Sequence, residues 1–402
     1  MNQETIEQLR RLKDAKQFFA IAEEMALGAD PPTNPRKSCA VTGWGAVSPA
    51  GWNAAALCES TTSGVGLATK SESRCSGAPA RQFRPVPPHS APPDWMKQPR
   101  FRRNTAVARF AVHAAVEALG ESKLAQVQSG EWRIGIIFCT MNGCVQFSRR
   151  FFTEVLDNPA LASPIFFPET VYNAPSSHIA AILGAHDINY TLVGDSAQFI
   201  AGLALAEQWL TDGVVEACLV VAAEELDWLS DEAIMLFGKR RVAAEGAAAV
   251  LLEPRTQNND TMPVLQHVTR TRTFGARLSR TQAAREVAQE LELLSEFKGA
   301  VLFDGLGVGK HVDEPEEEAW WTWNQERVSV RRVLGEGLAA TSGWQVVAAL
   351  EWLRTGLATQ SLVSAVGLSQ QAAGAAFGVD PRVGVVEKVL QTPRALKEHA
   401  AT

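Results

Sequence analysis

The sequence has little charge and little of what a metal or redox site requires. Asp, Glu, Lys and Arg make up 20% of the 402 residues, and the formal net charge is -6. Because no predicted domain carries a basic excess, we expect no nucleic-acid partner. The six cysteines form no Cys-x-x-Cys pair, so neither a metal site nor a redox motif is indicated, and we predict no cofactor.

Long apolar runs are also missing. No run reaches the roughly 18 residues of a transmembrane helix, and no secretory leader is visible at the start of the sequence. We therefore expect no membrane span and a cytoplasmic protein with reduced thiols. Hydrophobic residues still make up 46% of the composition, which is ample for a buried core. The length suggests two domains or one duplicated unit.

Apolar strands alternate with helical segments along most of the chain, which predicts a layered α/β protein with sheets buried on both faces. An amphipathic helix is predicted over residues 1–27, before a proline-rich linker. Residues 76–101 are predicted to form a long loop. Further helices are predicted near 53–60, 104–119, 173–184, 281–296, 316–327 and 342–355.

One corner stands out within this pattern. The residues Asn189-Tyr-Thr-Leu-Val-Gly-Asp-Ser196 predict a short strand and a tight turn, followed by a helix. The turn places Ser196 where helix N–H groups are unpaired and the helix dipole favours negative charge. Two interpretations remain open: Asp195 and Ser196 only cap the helix, or Ser196 is a nucleophile for acyl transfer.

Several segments, taken in order, resemble the β-ketoacyl synthases of fatty-acid and polyketide assembly. They are Val41-Thr-Gly-Trp-Gly-Ala-Val-Ser-Pro-Ala-Gly51, Asn173-Ala-Pro with His178, Glu224-Glu225, and Ala244-Glu-Gly-Ala247. The resemblance covers roughly residues 38 to 380. It implies a thiolase-like fold, with duplicated βαβαβαββ halves in a layered α-β-α-β-α arrangement. It further implies halves at 38–240 and 241–392, after an N-terminal segment 1–37 and before a tail 393–402.

The resemblance places three changed residues at the family's catalytic positions. Ser196 aligns with the cysteine that accepts the acyl group, Gly305 with the first histidine and Glu336 with the second. Arg331 aligns with the family's lysine, and the gating turn near the end becomes Gly367-Leu368-Ser-Gln. Gly305, Arg331 and Leu368 are therefore the expected substrate-binding positions. A serine hydroxyl needs an adjacent base to attack, so ordinary decarboxylative condensation is expected to be lost.

Two functions follow from this resemblance. The first is a non-condensing subunit, similar to the chain-length factors, that works in acyl-chain assembly on an acyl carrier protein. It would form a homodimer, or a heterodimer with an active ketosynthase. The second is a serine-dependent acyltransferase or thioester hydrolase, in which Ser196 is the nucleophile and Glu336 the base.

Other polar residues are given structural or docking roles. His178 is expected to satisfy hydrogen bonds inside the fold, and His311 is a weaker catalytic candidate than the aligned positions. Asp304 is expected at a strand end. Basic clusters that could meet an acidic carrier protein are Arg102-Arg103, Arg149-Arg150 and Lys239-Arg240-Arg241.

Overall fold

The computed structural model describes residues 38–77, 80–99, 101, 104–235, 241–295 and 299–379. The predicted helix at 1–27 and the tail 393–402 lie outside the described residues. The strands are β1 Cys39–Val47, β2 Lys70–Glu72, β3 Arg81–Arg84, β4 Ile134–Thr140, β5 Asn189–Val193, β6 Ala217–Glu224, β7 Ala243–Ala244, β8 Gly246–Pro254, β9 Val264–Val268, β10 Arg272–Thr273, β11 Ala300–Asp304, β12 Arg327–Ser329, β13 Gln360–Val366 and β14 Gln371–Gly378.

The main sheet repeats one strand order twice. Its strands run β5-β4-β6-β8-β1 and then β9-β14-β13-β11-β12. In the first half, β4 pairs parallel with β5 and β6, and β8 pairs antiparallel with β6 and β1. In the second half, β11 pairs parallel with β12 and β13, and β14 pairs antiparallel with β13 and β9. Antiparallel pairing of Cys39 with Leu265 joins the two halves. The same topology in both halves is the signature of an internal duplication.

Helices lie between the two halves of the sheet and on the outer face of each half. They are α1 Ala54–Ser63, α2 Ala106–Ser129, α3 Val145–Asp157, α4 Ala174–Leu183, α5 Ala197–Thr211, α6 Trp228–Ile234, α7 Arg277–Glu292, α8 Lys310–Ala319, α9 Val330–Leu334 and α10 Ala339–Arg354. Successive side chains of a strand face opposite sides. One set, including Val220 and Val363, packs in the core that contains α5 and α10. The alternate residues pack with α2 and α4 in the first half, or with α7 in the second. This gives the α-β-α-β-α order.

Helix α10 is the innermost helix, since each residue from Ala339 to Leu353 is buried. A helix that is buried on every side belongs to the core of a protein. It packs against α5, which begins at the Ser196 corner, and so the two halves meet at that corner.

Two predicted elements are wrong. The helix expected at 316–327 ends at Ala319. Beyond it, the Trp320 indole donates to Ser364 Oγ and the Trp323 indole donates to Glu326 O. The chain then becomes a strand, in which Val328 pairs with β11. The loop expected at 76–101 contains β3, since Phe83 pairs with Lys70 and Ala243. In both places tertiary contacts override the local pattern. No helix in the described part of the chain is long and apolar enough to cross a membrane.

Candidate functional site

The corner between β5 and α5 has an ordinary helical geometry. Gly194 N–H donates to Thr140 O at 3.1 Å, which ends the strand. Ser196 is the N-cap residue, immediately before the 15-residue helix, with φ −56° and ψ −31°, and its side chain makes no capping hydrogen bond. Its side chain is buried, with 1% of the residue exposed. The interpretation of Ser196 as a capping side chain is therefore wrong, because its hydroxyl points elsewhere.

The hydroxyl of Ser196 meets a guanidinium. Arg331 Nη2 donates to Ser196 Oγ at 3.4 Å, a long hydrogen bond. Ser342 Oγ donates to the carbonyl of Ser196 and fixes the backbone. An arginine keeps its proton in proteins and has no acceptor atom. The polar group recorded at the Ser196 hydroxyl therefore cannot act as a general base.

Arg331 and Glu336 form a buried ion pair. Arg331 Nε lies 3.0 Å from Glu336 Oε2, and both side chains are almost fully buried. The N–H does not point along this contact, since neither atom has hydrogen-bond geometry. The other carboxylate oxygen, Oε1, accepts from Leu338 N at 2.7 Å and from Thr341 Oγ1 at 2.9 Å. The Glu336 carboxylate is thus held by its own loop and by Arg331.

A side chain at position 305 would press against the Glu316 carboxylate. A Cβ atom at Gly305 would lie 2.9 Å from Glu316 Oε2 and 3.6 Å from Arg331 Nη1. Glu316 is fixed there because its carboxylate accepts from Gly305 N at 3.1 Å and from Ser364 Oγ at 2.6 Å. Burial raises the pKa of Glu316, and the nearby Asp304 carboxylate raises it further. An imidazole at this position would require Glu316 or Arg331 to move.

Asp195 holds a distant loop and does not cap its own helix. Its Oδ2 accepts from Ser369 N at 3.0 Å, from Ser369 Oγ at 3.2 Å and from Gln370 N at 3.2 Å. A Cβ at Gly367 would overlap the same carboxylate. The predicted role of Asp195 as a helix cap is therefore wrong, and the side chain ties the 367–370 turn to the Ser196 corner.

Leu368 lies in a small apolar cluster beside this corner. The cluster consists of Val308, Val312, Leu338 and Leu368, with Met141 against it. Arg280 Nη2 donates to Gly367 O at 3.0 Å and also to Leu368 O, which holds the turn from its outer side. The turn that carries Leu368 is therefore anchored from two directions, by Asp195 and by Arg280.

Among the described residues, neither His178 nor His311 forms a hydrogen bond with Ser196. His178 Nε2 is 2.9 Å from Glu169 Oε2, as expected for a structural histidine. His311 is exposed on α8. In the part of the chain described, the Ser196 hydroxyl accepts a hydrogen bond from Arg331, and the Ser196 carbonyl accepts one from Ser342.

Sequence reasoning missed the buried carboxylates that support the corner from the first half. Glu224, at the end of β6, accepts from Met141 N and from Asn142 N at 3.2 Å. Burial raises the pKa of Glu224 to about 8 and that of Glu225 to about 7. The Glu224-Glu225 pair was visible in the sequence, but only burial shows that these are structural acids. No group of three metal-ligating side chains is found among the described residues.

The described residues of the basic clusters already contact acidic or aromatic side chains. Arg241 is buried and pairs with Asp231 at 3.0 Å, so it is not a docking residue. Arg149 pairs with Asp227 at 2.9 Å. Arg150 lies over the Phe166 ring at 3.9 Å. Residues 102, 103, 239 and 240 lie outside the described part of the chain.

Comparison with known proteins supports the fold through structure alone. No family model and no curated protein matches the sequence. The ishigamide ketosynthase/chain length factor is similar in structure, with a TM-score of 0.67 and 18% identity over 85% of this chain and 99% of that one. A β-ketoacyl synthase from Burkholderia phymatum STM815 gives a TM-score of 0.70 and 15% identity, covering 86% and 100% of the two chains.

A third similar structure is AntDE:AntF, a type II polyketide synthase acyl-carrier protein in complex with its ketosynthase bound to the hexaketide. The TM-score is 0.71 and the identity 16%, over 86% of this chain and 100% of that one. Together with the repeated strand order, these likenesses confirm the thiolase-like ketosynthase fold.

Proposed function

We propose that this chain is a non-condensing, ketosynthase-like subunit that works beside an active ketosynthase in acyl-chain assembly on an acyl carrier protein. The observation that carries the proposal is the contact of Arg331 with Ser196, at the position where the family has its cysteine. A guanidinium donates to the hydroxyl and cannot remove its proton, so the group that contacts Ser196 is not the base that a serine nucleophile needs.

The other two aligned positions support the same conclusion. Gly305 carries no side chain, and the space beside it is filled by Glu316 and Arg331. Glu336 is committed to Arg331, Leu338 and Thr341. A negative carboxylate at this position would repel an enolate, whereas the family's imidazole would donate to it. Neither aligned position therefore offers the imidazole donor that supports decarboxylation of a malonyl thioester in the family.

The edge of the sheet supports a partner of the same fold. β5 is the terminal strand of the first half, and Tyr190 and Val193 are each 53% exposed on it. Five apolar side chains between α3 and α4 or on α3 are also exposed: Phe152, Leu156, Leu161, Ile165 and Phe167. An unpaired edge with exposed apolar residues is a template for pairing with another chain. In this proposal β5 pairs with the matching edge of a ketosynthase, and a homodimer is the other possible outcome.

The similar proteins guide the choice of partners. One is described as a ketosynthase/chain length factor, and another as a carrier protein bound to its ketosynthase. We therefore assign the acyl carrier protein to the assembled pair. In that pair, Gly305, Arg331 and Leu368 line or close the acyl-binding space without taking part in condensation.

Co-expression with a ketosynthase that retains Cys-His-His, from the same genome, tests the proposal. We expect the two chains to co-purify in equal amounts. Val193→Lys should abolish co-purification, because it places a charge on the pairing edge. The control is Val214→Lys, which alters a valine of similar exposure outside β5. Purification of this chain alone, with all candidate ketosynthases recovered separately, would contradict the proposal.

A further inference from the structure

Four large apolar side chains are exposed at one end of the second half, and we call them the exit patch. Leu293 is 88% exposed and Trp321 is 80% exposed, and Leu294 and Leu357 are exposed as well. A single exposed apolar side chain is ordinary, whereas a group of them marks a contact surface. The four residues belong to the second half, whereas β5 is in the first.

The ends of two helices carry the first part of the exit patch. α7 ends at Glu292, directly before Leu293, and α8 ends at Ala319, shortly before Trp321. Thr322 Oγ1 donates to Glu292 Oε1 at 3.0 Å and so joins the two ends. Leu293 and Trp321 each adjoin a member of this pair in the sequence. They therefore lie on the same end of the second half.

The last described strand ends at the same place. Gln360 Nε2, at the start of β13, donates to Leu294 O at 3.0 Å. β14 is antiparallel to β13, and its last residue, Gly378, is the register partner of Gln360. Val379 N then donates to Thr359 O at 3.4 Å. The chain therefore leaves the sheet beside Leu294, at the exit patch.

Residues 380–402 continue the chain from this point and lie outside the described part. They contain a run of apolar residues that begins close to Val379: Val383, Val385, Val386, Val389 and Leu390. An extended chain covers about 3.3–3.6 Å per residue, so this run begins within about 14 Å of Val379. A segment tethered so close to a surface meets it at a high effective concentration, ahead of any free partner.

The charges around the exit patch suit the same segment. Glu292 ends α7 and Glu326 is exposed directly before β12. The C-terminal ends of α7 and α8 add partial negative charge, which favours basic side chains. Arg382 precedes the apolar run and Lys388 lies within it. The segment therefore brings apolar and basic side chains to an apolar patch with an acidic rim.

We propose that the exit patch binds residues 383–390 of the same chain. The apolar side chains of this run cover the four side chains of the patch, at the edge where β11 and β13 begin and β14 ends. β11 runs from Ala300 at this edge to Asp304, directly before Gly305. The contact is thus at the opposite end of β11 from the Ser196 site, and it does not depend on the function proposed above.

Photo-cross-linking of the full-length protein tests the proposal. The photoreactive amino acid p-benzoylphenylalanine is incorporated at position 321, in place of the exposed Trp321. After irradiation and proteolysis, mass spectrometry should find peptides of a single chain that join position 321 to residues 383–390. The matched control carries the same amino acid in place of Leu278, which is 86% exposed at the other end of α7. Because Leu278 lies about 21 Å along the helix axis from Glu292, it should give no link to this run.

A charge placed in the segment should weaken the contact. Val386→Asp should lower the yield of the cross-link from position 321 several-fold, because a carboxylate resists burial in an apolar contact. The negative charges at the rim of the patch repel it further. Ala401→Asp adds the same charge beyond the apolar run, and it should leave the yield unchanged.

Three results would overturn the proposal. One is the lack of any link from position 321 to residues 383–390, or equal yields of this link from positions 321 and 278. Another is a link from position 321 to a second copy of the chain or to residues 1–37, which would identify a different occupant. The third is an undiminished yield in Val386→Asp.

Discussion

The two halves of the molecule share one strand order but differ at matching corners. In the first half, β5 leads to Ser196 at the start of α5; in the second, β12 leads through α9 to Leu338 at the start of α10. Ser196 has relaxed helical angles, whereas Leu338 has φ 50° and ψ −119°. A strained strand-to-helix corner is what presents a nucleophile in hydrolases. Here the strained residue is a leucine, which has no chemistry to offer.

Residues of the second half provide the hydrogen-bond partners of the polar groups at the first corner. The second half supplies Arg331 and Ser342 to Ser196, and Ser369 to Asp195. The duplicated fold has thus kept its central junction and filled it with structural contacts. The following variants test this difference between the halves.

The largest loss of stability is expected from a substitution at the second corner. Glu336→Gln leaves the buried Arg331 without its counter-charge, which should lower the free energy of unfolding by about 3–5 kcal/mol. Urea denaturation measures it. Glu317→Gln breaks the half-exposed pair with Arg332, and should cost at most about 1 kcal/mol. Equal losses in the two variants would show that the Arg331–Glu336 pair is not buried as described.

The first half should respond to pH through its buried acids. Burial raises the pKa of Glu224 to about 8, while in the unfolded chain it is about 4.3. Between these values the folded state keeps a proton that the unfolded state releases. Stability from this group is therefore full below about pH 4.3 and is lost as pH rises through about 8.

Urea denaturation between pH 5 and pH 8 measures this dependence. Glu224→Gln should flatten the decline relative to the unmodified protein, since its amide does not titrate. Glu232→Gln, which alters an exposed acid paired with Arg74, is the control and should leave the slope unchanged. Parallel slopes for the unmodified protein and Glu224→Gln would contradict the assignment.

A histidine at position 305, which the resemblance aligns with the family's first histidine, should destabilise the protein. Gly305→His places a side chain against Glu316 and Arg331, and overpacking of this kind costs about 1–3 kcal/mol. Thermal denaturation measures the loss. At Gly275 a Cβ meets open space, so Gly275→His is the matched control. A stable Gly305→His variant would show that the site can accept the family's imidazole.

The link between the corner and the 367–370 turn has a local readout. Asp195→Ala removes the acceptor of the Ser369 and Gln370 N–H groups. Hydrogen exchange of these amides should accelerate by an amount equivalent to about 1–3 kcal/mol. Asp212→Ala, at the exposed end of the same helix, should leave them unchanged. Unaltered exchange in Asp195→Ala would mean that Arg280 alone holds the turn.

The sequence predicted the fold because order and periodicity are carried by long segments. It also predicted that Ser196, Gly305, Arg331 and Glu336 lie together. In the structure, Arg331 contacts Ser196 and Glu336, and its guanidinium lies beside Gly305. These contacts do not test the predicted roles. Asp195 could not be assigned from sequence, because a local cap and a contact across 174 positions leave the same local pattern.

The smallest stability effect is expected at Ser196. Ser196→Ala removes one long hydrogen bond to Arg331, so the free energy of unfolding should change by at most about 1 kcal/mol. Urea denaturation measures this change. A loss of several kcal/mol would show that the hydroxyl is an essential partner of Arg331. The expected mild effect makes this variant a suitable control for chemistry.

The most direct test of the account is intact-mass analysis after incubation with acetyl- and malonyl-loaded acyl carrier protein. We predict that the unmodified protein and Ser196→Ala both keep their unmodified mass, and that the malonyl group stays on its carrier. An acyl adduct on the unmodified protein that is absent from Ser196→Ala would show that Ser196 is a working nucleophile. That result would contradict the non-condensing, structural assignment and support the serine acyltransferase or hydrolase.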